Sequence, residues 1–221
     1  MEDSDQKYIW SLIKGGENQE VDFKFEISDS RKIARTLSAF SNTDGGRLLI
    51  GVKDNGRISG VRSEEEYYMV ESAASLFSKP EVRFESRQHV MDGKNVLEIY
   101  IPPATDKPVF AKDEENRWKA YIRVADQNML ASIVHLQVWK EEKRKRGKLI
   151  EFTRREEILL KTLKLNQGIT LSKIQRDTGF PRKELVSLLT KLVLFDVVNM
   201  QFKDGQNRFW LKEKPGETEA D

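Results

Sequence analysis

The stretch from Glu17 to Gly60 constrains the fold more tightly than any other part of the chain. Leu48 to Val52 is apolar without alternation, the pattern of a strand covered on both faces. Gly45-Gly46 before it supplies backbone freedom for a tight reversal, and Asp54-Asn55-Gly56 after it closes a hairpin. Upstream, Val21 to Phe25 alternates. Val21, Phe23 and Phe25 point to one side, and Glu20, Asp22 and Lys24 to the other. Between these strands Ile33, Leu37 and Phe40 recur at helical spacing, which predicts an apolar stripe facing the sheet. The arrangement predicts a common edge for Glu17, Asp22 and Asp54, with Lys24 beside them.

Converging carboxylates offer only oxygen ligands, which suit Mg²⁺ or Mn²⁺ rather than zinc. Metal-activated water or a metal-clamped phosphate would then permit phosphodiester cleavage. The plainer reading is a polar strand face on which Glu20, Asp22 and Lys24 pair in solvent. Gly46 to Lys53 is only superficially near a phosphate-binding loop, since Lys53 is not adjacent to Gly51 and no Ser or Thr follows it. It reads as a turn into a buried strand.

The element E-x4-D-F-K at Glu17 to Lys24 and the run A-F-S-N-T-D-G-G-R-L-L-I-G-V-K-D-N-G at Ala39 to Gly56 resemble the Schlafen-type, AlbA-like domain. K-P-V-F at Lys107 to Phe110 and Y-I-R-V at Tyr121 to Val124 extend the resemblance in the family's order. It implies an α+β fold, a mixed sheet with helices. Eukaryotic members include nucleases of tRNA and rRNA, and their acidic triad maps by resemblance onto Glu17, Asp22 and Asp54, with Asp22 standing where Glu is common. Arg123 lies in the Y-I-R-V element, followed by Ala125-Asp126 where the family commonly has a glycine. Long bacterial relatives are labelled ATP-binding and carry an additional ATPase-like segment. This sequence has no room for it, so neither nucleotide hydrolysis nor a cofactor is expected, apart from Mg or Mn if the chain is a nuclease.

A length of 221 residues suits two small domains or one medium one. With 38% hydrophobic and 33% charged residues the chain reads as a soluble protein, and no apolar run approaches the roughly 18 residues needed to span a bilayer. The acidic, polar N-terminus does not read as a secretory signal, so a cytoplasmic location without membrane partners is expected. The absence of cysteine removes disulfides, thiolate zinc sites and cysteine nucleophiles. A net charge of +2 does not by itself imply nucleic-acid binding. Its distribution matters more. Lys24, Arg31, Lys32, Arg35, Arg47, Lys53, Arg57 and Arg123 lie on or near the proposed edge, interspersed with acids. Lys140 to Lys148 is locally basic, which also fits a solvated helix end.

In chain order, a short helix over Gln6 to Ile13 leads into the block described above. Ser63 with Glu66 forms a capping box opening a helix through Tyr67, Val70, Ala74 and Phe77. Strands follow over Val82 to Val90 and Val96 to Ile101, joined at Asp92-Gly93, then over Val109 to Lys112 and Lys119 to Val124. A helix is predicted from Asn128 to about Lys145. Thr153 with Glu156 caps a further helix, Thr170-Leu171-Ser172 opens another, and Pro181 starts a third with Leu185, Leu188, Leu189 and Leu192. Val197 to Phe202 and Asn207 to Leu211 flank a turn and form a hairpin. This region, with T-L-S-K-I-Q-R-D-T-G-F-P-R-K-E-L-V-S-L-L, resembles a winged helix domain. The expected organisation is an AlbA-like domain over residues 1–127, a basic linker helix over 128–150, a winged helix-turn-helix over 151–213 and a disordered tail over 214–221.

The winged-helix resemblance places Arg182 and Lys183 at the start of a recognition helix, Ser187, Thr190 and Lys191 along its exposed side, and Lys203 and Arg208 beside the wing turn. These side chains, with Lys24 and Arg123, are the candidate nucleic-acid contacts. His89 and His135 are isolated and read as structural. The favoured reading is a nucleic-acid-binding protein, a prokaryotic DNA-binding transcriptional regulator. Two alternatives stay open: a metal-dependent ribonuclease using Glu17, Asp22 and Asp54, and a protein-interaction module. A homodimer is expected, bridged by the 128–145 helix with Trp139 as an apolar anchor.

Overall fold

The computed structural model describes residues 2–61, 63–144 and 152–212, which divide into two compact units between Ala131 and Ser132. The basic run beyond Arg144 and the acidic tail lie outside the described residues. The described residues are α+β, with one mixed sheet, two antiparallel sheets and helices.

In the first unit, α1 (Glu2–Gly15) precedes β1 (Val21–Lys24), α2 (Ser30–Asn42) and β2 (Gly46–Ile50). After α3 (Glu65–Ser75) come β3 (Ser78–Lys79), β4 (Glu85–Met91), β5 (Lys94–Ile101), β6 (Phe110–Lys112), β7 (Trp118–Val124) and β8 (Gln127–Leu130). They form two four-stranded sheets, ordered β1-β2-β5-β4 and β3-β6-β7-β8. The first is mixed: β1 runs parallel to β2, with Asp22 opposite Leu48, while the β2–β5 and β5–β4 pairs are antiparallel.

The unbroken apolar run of β2 has a direct structural cause. Leu48 and Ile50 pack into a core with Ile33, Ala34, Leu37 and Phe40 of α2. Leu49 packs on the opposite face with Ile9 and Ile13 of α1 and with Phe23. Both sheet faces are therefore covered, and each fully buried side chain contributes about 1.5–3 kcal/mol. Gly45 has φ +78, the left-handed conformation that the reversal requires. Gly46 is needed for space instead, because a Cβ there would collide with the Phe40 ring.

Three expectations from the sequence change. The strands form two sheets rather than one mixed layer. The hairpin after Asp54 closes through a single bridge, Val52 to Ile58. Residues 127–130 are strand β8, not the start of a helix. Ala125 adopts φ +52 and turns the chain, so β8 pairs back antiparallel onto β7, with Arg123 opposite Asn128. The helix starts only at Ile133, where Ser132 and His135 form a capping box.

The second unit contains α4 (Ile133–Glu142), α5 (Arg154–Leu165), β9 (Ile169–Thr170), α6 (Leu171–Thr178), α7 (Arg182–Leu194), β10 (Val198–Lys203) and β11 (Gln206–Leu211). Thr153 and Glu156 cap α5 reciprocally, as their spacing predicts. Gly179, at φ +70, ends α6, and α7 begins after Pro181. The strands form an antiparallel sheet ordered β10-β11-β9. Leu159, Leu163, Ile169, Ile174, Leu185, Leu189 and Phe209 build the core, joined by Val134 from α4. No helix among the described residues is long and apolar enough to cross a membrane.

Candidate nucleic-acid interface

The loop between α1 and β1 carries Glu17 back over the strand it precedes, where its Oε1 accepts the Phe23 N–H at 2.9 Å. Asp22 points away from the Val21–Phe23 face, yet it is buried at 3% exposure. Its Oδ1 accepts a bond from Arg123 Nη2 at 3.2 Å. Its Oδ2 lies 2.9 Å from Lys24 Nζ as an ion pair, without the alignment of a hydrogen bond. Lys24 also donates to the Phe23 carbonyl at 2.7 Å. Burial raises the pKa of Glu17, and the neighbouring Asp22 carboxyl adds to the rise against the opposing Phe23 N–H.

This cluster differs from the expected carboxylate triad. Glu17 and Asp22 come together, but Asp54 sits exposed on the turn after β2. Among the described residues no three acidic or histidine side chains gather as a metal-binding group. The reading of Glu20, Asp22 and Lys24 as a solvated pair face also fails, because Asp22 is buried under Arg123. What converges is two carboxylates and two cations.

Arg123 is not available to a nucleic acid. It is 2% exposed; Nε donates to the Asn18 carbonyl at 3.1 Å, Nη1 to Asn128 Oδ1 at 3.0 Å and Nη2 to the Val21 carbonyl at 3.0 Å. The guanidinium also stacks 5.0 Å above the Phe40 ring. It ties β7 to the start of β1, a structural role. Lys24 is half-buried by its Asp22 contact.

On α7 the candidate residues separate into two groups. Arg182, Lys183 and Ser187 are exposed, and neither cation pairs with a described residue. Thr190 is buried at 4% exposure, and Lys191 Nζ is bonded to Glu156 Oε1 at 2.7 Å. Both lie on the side of α7 that meets α4, which the helical periodicity of α7 alone does not reveal. Lys203 is exposed beside the β10–β11 turn. Arg208 is tied down, donating to the Gly168 carbonyl at 2.9 Å and pairing with Asp204 at 3.3 Å. Trp139 is buried at 8% exposure with its ring 5.7 Å from that of His135, so it is no anchor for a second chain.

The family described as Schlafen, AlbA_2 matches residues 17–132. The chain belongs to this family. A relative described as an uncharacterized ATP-binding protein, from Ureaplasma parvum, is 27% identical over 128 residues. That match covers 48% of this chain and only 36% of the relative's length. The N-terminal domain of an ATP-dependent DNA helicase RecG-related protein from Nitrosomonas europaea aligns over 68% of this chain and 97% of its own, at 22% identity and a TM-score of 0.41. The DIP2311 protein from Corynebacterium diphtheriae aligns over 66% of this chain and 29% of its own, at 21% identity and a TM-score of 0.42.

Where helix α1 meets the Schlafen AlbA_2 domain, sequence reading missed one polar network altogether. His89 is 1% exposed, and its Nδ1 meets Asp5 Oδ2 and its Nε2 meets Glu98 Oε2, each at 2.8 Å. Tyr8 donates to Glu98 Oε1 at 2.5 Å and accepts from Arg47 Nε at 2.8 Å. Burial, with help from the Glu98 carboxylate, raises the pKa of Tyr8. The network pins α1 to β4 and β5, and its members are too far apart in sequence for any local pattern to join them.

Proposed function

We propose that this chain is a nucleic-acid-binding protein, a DNA-binding transcriptional regulator whose second unit is a winged helix. The observation that carries the reading is the pair Arg182 and Lys183, exposed and unpaired among the described residues in the first turn of α7. In the order α5-β9-α6-α7-β10-β11, α7 is the second helix of a helix-turn-helix and β10–β11 is the wing. Cations there meet phosphate, and Ser187 one turn further on is placed for a base edge or a second phosphate. Lys203 supplies a wing contact. Lys24, Arg123, Lys191 and Arg208 have partners within the chain, Thr190 is buried, and all five drop out of the interface.

The test is titration of the full chain against duplex DNA and tRNA, with and without Mn²⁺. Salt-dependent binding of duplex without turnover is expected, and Arg182→Glu with Lys183→Glu should abolish it while the fold persists. Undiminished affinity of the double variant at moderate salt removes α7 from the interface. Mn²⁺-dependent loss of tRNA would favour the ribonuclease alternative instead.

A further inference from the structure

The outer side of α7 is not open along its whole length. Helix α4 lies against it, and the two frame a groove of about 980 Å³ inside the second unit. Ile133, Val186 and Phe195 give it an apolar lining. Glu141, the one acid among the described lining side chains, already holds Arg144 at 2.8 Å, so Arg182 and Lys183 leave a cationic surplus there. No described side chain caps the first turn of α7, whose backbone N–H groups add to the positive field. A second observation points to a ligand: Thr190 lines the groove, yet its Oγ1 is closed off from solvent and has no hydrogen-bond partner among the described residues. Buried hydroxyls are rarely left unpaired. The volume falls within the range of about 300–1,000 Å³ typical of small-molecule sites, which pair apolar walls with a few polar groups.

We propose that the α4–α7 groove binds a small organic anion with an apolar body, and that its occupant displaces duplex DNA from Arg182 and Lys183. The displacement rests on the DNA-reading assignment above; the binding site itself does not. The anionic group meets Arg182 and Lys183, the apolar body lies over Val186 and Phe195, and the Thr190 side chain turns about χ1 to donate its now enclosed Oγ1–H to a polar atom of the ligand. The groove is then a site through which a metabolite regulates DNA binding.

The experiment titrates the full chain with 1-anilinonaphthalene-8-sulfonate, an apolar body carrying one sulfonate, and follows its fluorescence. Binding at one site is expected. Arg182→Gln with Lys183→Gln should weaken it at least fivefold. Thr190→Val should weaken it about threefold while raising Tm, because the unpaired hydroxyl is gone. A structural role for Thr190 would move Tm alone. Bound probe should also raise the apparent Kd for duplex. Absence of probe binding, or equal affinity in wild type and both variants, overturns the site. Probe binding that depends on these residues and leaves duplex affinity unchanged overturns the displacement. A chain that binds no duplex refutes the regulator reading and the displacement with it, while the probe arms still decide the site.

Discussion

Arg123 and Asp22 form a buried pair whose members lie 101 positions apart, and removing Arg123 leaves the buried Asp22 only its ion pair with the half-buried Lys24. Arg123→Ala should therefore destabilise the first unit by about 3–5 kcal/mol in urea unfolding. Asp22→Asn combined with Arg123→Met should cost less than Arg123→Ala alone, since no bare charge then stays buried. A double variant as unstable as the single one would show that packing on Phe40, not charge, sets the cost. Ala125 presents the opposite case. It holds φ +52 at the β7–β8 turn, a conformation costly for any residue with a Cβ. Ala125→Gly should stabilise the fold by about 0.5–1 kcal/mol once the greater freedom of the unfolded glycine is subtracted. A lower unfolding midpoint would contradict this.

At the scale of elements, the two helix caps of the second unit titrate in acid, one after the other. His135 Nδ1 accepts the Ser132 N–H at 3.2 Å, and burial lowers the pKa of the ring from 6.5 to about 4. Its folded pKa is depressed, so its contribution is present above the unfolded value and is lost as pH falls from 6.5 towards about 4. Glu156, which caps α5, follows lower down. Burial alone would raise its pKa, but Lys191 and Thr153 hold it down to about 2 against the ordinary 4.5. That contribution is present above 4.5 and is lost as pH falls towards about 2. Thermal melts followed by circular dichroism should show both steps. His135→Gln, which keeps a capping-box side chain without the titration, should flatten the first step only. An unchanged profile between pH 6.5 and 4 would exclude His135 as its source.

On the scale of the whole molecule, a homodimer remains the expected form on DNA, because two recognition helices reading two half-sites gain effective concentration. Light scattering at micromolar protein should give twice the chain mass on duplex, and a monomer mass there would rule it out. Trp139 is not the contact that decides it. Because this side chain is buried, Trp139→Asp should lower Tm sharply by placing a charge in the interior.

Local chemistry in the sequence was enough to determine the β1-α2-β2 block, the Thr153–Glu156 cap and the α6-turn-α7 pair. Periodicity, capping residues and glycine turns act within a few positions, and each is visible as a pattern along the chain. Only the tertiary structure decided the rest. Asp22 read as a solvated acid or, less plainly, as a metal ligand until Arg123 arrived from β7 to bury it. Residues 127–130 carried a helix-compatible pattern, but the turn at Ala125 made an edge strand available as their partner. Thr190 and Lys191 lay on a nominally outward face of α7 until packing buried the first and Glu156 of α5 took the second. For Asp22 and Thr190 the deciding contact joins segments far apart in sequence, whereas for residues 127–130 it is a neighbouring strand that the turn alone brings back. The exposure of a side chain depends on what packs over it, and local periodicity holds no record of that.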